Sequence, residues 1–112
     1  MREIWKPIKN IKKGYEVSNR GRARQKTAVI CGRIIENFLK SLSVSPSGLL
    51  YFGARDSRGR RVNVYLHKAV AAAFVPNPDG LRFVRFKDGN PFNCRPSNLE
   101  WSAHRAPNGG GA

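Results

Sequence analysis

The side chains suited to acid–base or metal chemistry are thinly spread along this chain. Two histidines, His67 and His104, are the natural candidates for taking a proton near neutral pH or for holding a metal ion. Two cysteines, Cys31 and Cys94, stand far apart with no CxxC spacing, so they make no zinc site by themselves. Reduced thiols with a structural role are the default for an intracellular chain. Asp88 sits in a Lys87-Asp88-Gly89 turn, and the turn role of an Asp-Gly pair accounts for it. His67, Asp88 and His104 have no spacing that would gather them into one site.

What the chain carries in quantity is positive charge. It has 112 residues, 21 Lys plus Arg against 7 Asp plus Glu, and a formal net charge of +14. A field of that size at this length attracts polyanions, nucleic acid first among them. A ribosome-like structural role, an acidic protein partner and an anionic membrane surface are the other partners the charge allows. The basic residues crowd into residues 1–26, into "RDSRGRR" at 55–61, and around Arg82, Arg85, Lys87 and Arg95. Arg20, Arg22, Arg24 and Lys26 stand at alternate positions. On a strand they would share one face, a geometry suited to a β-ribbon laid against DNA. Arg55, Arg58, Arg60 and Arg61 crowd a hairpin tip, which bound phosphates would make tolerable.

The elements that must position these groups are legible in outline. "EIWKPI", with Pro7 arguing for an edge, "GYEVSN" and "RGRARQ" read as three short strands. Residues 27–47 allow strand, turn, strand, or a short helix around "IIENFLKSL"; the preferred reading is irregular structure with a short strand near Arg33 to Ile35. "LLYFGAR" and "RVNVYLH" form the clearest hairpin, since Val62, Val64 and Leu66 alternate with polar or aromatic partners. "HKAVAAAF" is a short helix with Val70, Ala71 and Phe74 on one face. "LRFVRF", a long loop, "NLEW" and the helix start "SAHRA" follow in a ββα order, and "NGGGA" is a flexible tail. Trp5, Tyr15, Phe74, Phe83 and Trp101 are expected in the core. Asn90, Asn93 and Asn98 are expected to satisfy loop backbone. "MREIWKPIKN" lacks the apolar run of a signal peptide and no stretch is long enough to span a bilayer, so the expected location is the cytoplasm.

Two stretches carry a family resemblance. "LHKAVAAAFVPNP" followed by "VRFKDGNPFNCRPSNLEW" resembles the HNH endonucleases of bacteriophages and mobile introns. "EIWKPIKNIKKGYEVSNRGRAR" resembles the small DNA-binding module that often precedes the HNH motif in homing endonucleases. The resemblance implies an α+β fold: an N-terminal antiparallel β module over 1–48, then a β-hairpin and a ββα (HNH-like, His-Me finger) unit over 49–107, with 108–112 as a tail.

The resemblance also implies a catalytic layout. The first strand of the ββα unit ends in a metal ligand and then a general-base His, an Asn on the second strand braces the loop, and a His or Asn on the final helix completes the metal site. Anchored on the Lys87-Asp88-Gly89 turn, the ligand position falls on Arg85, the base position on Phe86, the bracing position on Asn98 and the helix-ligand position on Pro107. Arg85 is a permanent cation where a cation should bind. Phe86 has no lone pair with which to take a proton. Pro107 cannot ligate a metal, so only the structural Asn98 is kept. His104 comes three positions before the helix-ligand position and reads as an exposed helix residue, and His67 as packing or bonded to backbone. Both are weak metal candidates. The expectation is therefore a double-stranded DNA-binding phage or mobile-element protein that uses no cofactor and does not cut, working in a bacterial host. Its expected contacts are Arg20, Arg22, Arg24, Lys26, Arg55, Arg58, Arg60, Arg61, Arg85, Lys87 and Arg95, with Arg85 replacing the metal as a phosphate contact. The alternatives are an active Mg-dependent HNH endonuclease with an unconventional site, and a factor that binds a host nucleic-acid-processing protein.

Overall fold

A computed structural model describes residues 2–9 and 11–103. Strands β1 (Trp5–Pro7), β2 (Tyr15–Ser18), β3 (Ala23–Ile30) and β4 (Arg33–Leu39) form an antiparallel sheet in that order. β5 (Ser43–Val44), β6 (Leu50–Arg55) and β7 (Arg61–Tyr65) form a second sheet. Helix α1 (Leu66–Phe74) follows without a loop, and β8 (Phe83–Phe86) then pairs with β9 (Leu99–Ser102). The fold is α+β, dominated by strands. Among the described residues no helix is long and apolar enough to cross a membrane.

Residues 27–47, expected to be irregular, are instead largely regular. β3 and β4 make a long hairpin, with Ile30 facing Arg33 across a two-residue turn at Cys31 and Gly32. Both turn residues are left-handed, at φ 50° and 77°. That conformation matches the twist of the flanking strands, and Gly32 reaches it without steric cost. Asn-Gly would have announced such a turn; Cys-Gly did not. β3 also starts later than expected. Arg20 and Arg22 therefore precede the strand, and of the alternating series only Arg24 and Lys26 lie within it.

The core is a continuous cluster. Tyr15, Val17 and Ala23 of the first sheet pack with Phe52 and Ala54 of β6, with Leu66, Val70 and Ala71 of α1, and with Val84, Cys94 and Leu99. Leu66, Val70 and Ala71 are spaced as a helix spaces one face, and that face meets strands from all three sheets. Tyr15 is fully buried, whereas Trp5, Phe74, Phe83 and Trp101 are half-buried. The Trp101 indole N–H donates to the Val75 carbonyl at 3.0 Å and closes the end of α1 against β9. Gly21, at φ 76°, is required in its turn. A side chain there would also crowd the Cys94 backbone at 3.4 Å, where the first sheet touches the long loop.

Candidate functional site

Arg85 and Phe86 are the last two residues of β8, so their side chains point to opposite faces of the β8–β9 pair. Arg85 is exposed. It faces Glu100 across the ladder, with its Nε 3.9 Å from a Glu100 carboxylate oxygen. Phe86 turns the other way, onto His67 at the start of α1, with ring centroids 5.2 Å apart and planes tilted by 41°. His67 is buried, only 4% exposed, and Tyr65 stacks edge-on against its other side at 6.0 Å. Burial, with a lesser contribution from the neighbouring Lys68 charge, lowers the His67 pKa from 6.5 to about 4. The imidazole is therefore neutral near pH 7, and its buried Nδ1 finds no hydrogen-bond partner among the described residues.

The loop between β8 and β9 is held from within by Asn98. Its Oδ1 accepts the Asp88 N–H at 3.0 Å, and its Nδ2 donates to Asp88 Oδ1 and to the Asn93 carbonyl, both at 2.9 Å. The Lys87 N–H donates to the Asn98 carbonyl at 2.7 Å. A short 3₁₀ turn, Pro96–Asn98, delivers Asn98 into this buried position. The Asp88 carboxylate is occupied by the same network. Oδ1 also accepts the Asn90 N–H, and Oδ2 accepts from Asn93 Nδ2. These donors, the Asn90 N–H first, hold the carboxyl below its usual range. Asn90 Oδ1 in turn accepts the Phe92 N–H.

Among the described residues a divalent cation does not fit this set of groups. Asp88 accepts hydrogen bonds at both carboxylate oxygens, Glu100 faces a guanidinium, and Phe86 beside Arg85 offers only an aromatic ring. Among the described residues no three His, Cys, Asp or Glu side chains come together in a metal-holding group. His104 and Pro107 lie outside the described residues. Cys94 is buried in the core, its Sγ donating to the Pro91 carbonyl at 3.6 Å, and burial pushes its thiol up to about 12.

The basic residues divide into two kinds. Arg22 and Arg24 lie over the Trp5 ring, with guanidinium carbons 5.6 and 4.2 Å from its centre. Both also have acid partners. Arg22 pairs with Glu3, whose carboxyl that hydrogen bond lowers to about 2, and Arg24 pairs with Glu16 at 2.8 Å. These two are built into the first sheet. Lys26, Arg55, Arg58, Arg60, Arg61, Lys87 and Arg95 are exposed. At the β6–β7 tip, Asp56 Oδ1 accepts the backbone N–H groups of Arg58 and Arg60, both at 2.9 Å. It thereby shapes the turn and leaves those guanidinium groups directed at solvent.

Comparison with known proteins matches this geometry to a described lineage. Residues 3–48 match the NUMOD4 motif, and residues 64–108 match the HNH endonuclease family. The chain is a NUMOD4 motif joined to an HNH endonuclease domain. An uncharacterized HNH endonuclease of Acanthamoeba polyphaga mimivirus is 30% identical over 91 residues, covering 81% of this chain and 24% of that protein. The HNH homing endonuclease I-HmuI, described in a structure of DNA binding and cleavage, superposes with a TM-score of 0.68 at 28% identity. The match covers 88% of this chain and 52% of that one. The NUMOD4–HNH chain thus spans about a quarter of the viral relative and about half of the homing endonuclease.

The Phe86–His67 stack had no signal in the sequence, because nothing in residue spacing joins the end of β8 to the start of α1. The likeness to HNH proteins marked Arg85, Phe86 and Asn98, and the fold shows what each one touches.

Proposed function

We propose that this protein binds double-stranded DNA through an HNH frame that does not support metal-dependent hydrolysis. The observation that carries the reading is the end of β8. Arg85 stands where a metal ligand is needed and pairs loosely with Glu100, while Phe86 stands where the general base is needed and is packed on a neutral His67. A fixed cation repels a divalent ion, and a phenyl ring cannot activate water. The retained Asn98 network is a structural feature and keeps the loop in shape without the chemistry.

In this reading, residues 1–48 supply one DNA-contacting module and residues 49–107 the other. Arg85 contacts the phosphate that a metal would otherwise hold, and the exposed Lys26, Arg55, Arg58, Arg60, Arg61, Lys87 and Arg95 supply the rest of the electrostatic attraction. Arg20 joins them, and Arg22 and Arg24 contribute through the guanidinium edges left open by their acid partners. The order of the two modules suggests a phage or mobile-element origin and a working place in the bacterial cytoplasm.

Two assays run together test the proposal. Binding to duplex DNA should weaken steeply with salt, while a plasmid-nicking assay with Mg²⁺ and with Mn²⁺ should show no conversion above background. Robust cleavage abolished by His67→Ala or His104→Ala would overturn the non-cutting reading.

A further inference from the structure

Between the first sheet and the β6–β7 hairpin lies a cleft of about 640 Å³. Lys12, Lys40, Arg55 and Arg61 converge on it, together with Tyr15 and Gln25. No Asp or Glu is among the residues that line it. The Lys12 N–H donates to the Arg55 carbonyl at 2.9 Å, tying the β1–β2 loop to the hairpin. The Lys40 N–H donates to the Ala23 carbonyl at 2.9 Å, fixing the opposite wall. Main-chain bonds thus fix the backbone on both sides of the cleft, and Arg55 Nη1 donates to the Gly59 carbonyl at 3.2 Å.

The arrangement is electrostatically unfavourable by itself. Arg55 and Arg61 are direct cross-strand partners, and like charges in that position destabilise a β-pair. The Arg61 guanidinium lies across Gly53, where an added methyl group would sit 3.6 Å from its Nε and Nη2. It lies along the sheet face, near enough for its charge to act on Lys40. Lys40 is half-buried, its ammonium 6.0 Å from the Tyr15 ring, and burial together with the Arg61 charge draws its pKa down. Asp56, next in sequence to Arg55, spends its Oδ1 on the Arg58 and Arg60 N–H groups. Unneutralised cations held together by main-chain bonds are what a polyanion would relieve. The volume is that of a pocket for an extended ligand, larger than a single inorganic anion requires.

We propose that this cleft seats the sugar-phosphate backbone of bound DNA, with Lys40 and Arg61 as paired phosphate contacts and Lys12 and Arg55 at its rim. The inference rests on the DNA-binding reading and adds a site between the two β modules. Lys12 and Lys40 enter the interface for the first time.

The test compares two double variants that lose the same charge. K40Q/R61Q empties the cleft of its two central cations, and R33Q/K68Q removes two exposed cations elsewhere. Binding to a short duplex is followed across about 50 to 200 mM salt. K40Q/R61Q should bind at least about tenfold more weakly, with a log–log salt slope shallower by about two. R33Q/K68Q should change the slope by less than half as much. K40Q/R61Q should melt at the same temperature as the unaltered protein or higher, because a like-charge contact has been removed. K40R/R61K, which keeps both charges, should bind within about threefold of the unaltered protein. Equal losses in the cleft and control variants would overturn the cleft and leave DNA binding standing. Failure of K40R/R61K alongside K40Q/R61Q would also overturn it, since packing rather than charge would then be at stake. Absence of salt-dependent duplex binding by the unaltered protein would overturn the DNA reading itself.

Discussion

The His67 imidazole and the Phe86 ring lie 5.2 Å apart, one buried at the head of α1 and the other at the end of β8. The contact joins the helix to the strand pair. Burial at this contact keeps the His67 imidazole neutral.

That neutrality predicts a pH-dependent stability. The folded pKa of His67, about 4, lies below the 6.5 of a free histidine, so the unfolded chain takes up the proton first. The stabilisation is complete above pH 6.5 and is lost as pH falls from there through 4. By pH 4 the loss from this group amounts to about 3 kcal/mol. Asp88 and Glu3 also lose stability in acid, but lower on the scale, because their folded pKa values are depressed from carboxylate values. Urea unfolding at pH 7.5 and pH 4 should show a larger fall for the unaltered protein than for His67→Leu. Equal falls would mean that His67 is not the group responsible.

Asn98→Ala should be among the most damaging single changes. It removes the acceptor of the Asp88 N–H and the donor to the Asn93 carbonyl, while Asp88 Oδ1 keeps only the Asn90 N–H. Polar groups left unpaired in a buried site cost about 1–3 kcal/mol each, and these are part-buried, so a loss of about 1–3 kcal/mol is expected after partial relaxation. Thermal unfolding reads this directly, and a fall in Tm of only a degree or two would refute the bracing role.

Arg85→Ala separates binding from stability. The Arg85–Glu100 pair is exposed on both sides and 3.9 Å long, so its loss should change folding stability by less than about 0.5 kcal/mol. The salt slope of duplex binding should nevertheless become shallower by about one if Arg85 meets a phosphate. An unchanged slope would remove Arg85 from the interface.

The two thiols should differ sharply in reactivity. Cys31 is exposed at the β3–β4 turn, whereas Cys94 is buried and its ionisation is pushed up to about 12. A disulfide-exchange reagent should therefore modify one cysteine in the native protein and two after unfolding. Rapid modification of both under native conditions would contradict the packing of Cys94 beneath the loop.

Much of the architecture was readable in order along the chain. Val62 and Val64 alternate as a half-buried strand requires, Gly and Pro mark the turns, and the helix ends before Pro76. The β3–β4 hairpin was only one of the alternatives that residues 27–47 allowed, and not the preferred one. Its turn uses Cys31 in a left-handed conformation, and its strands leave Val29 and Ile34 at 72% and 70% exposure, so no inward–outward alternation announces them.

The site divides along the same line. The residue types alone determined that position 85 is a permanent cation, that position 86 cannot take a proton, and that the net charge favours a polyanionic partner. These are properties of single side chains and of their sum. Tertiary structure decided which charges are already neutralised, as with Arg22 on Glu3 and Arg24 on Glu16, and which are left crowded, as with Lys40 and Arg61 across the cleft. It also decided that Phe86 meets His67. Those relations depend on distances between residues far apart in the chain, and only the packing of the three sheets around α1 sets them.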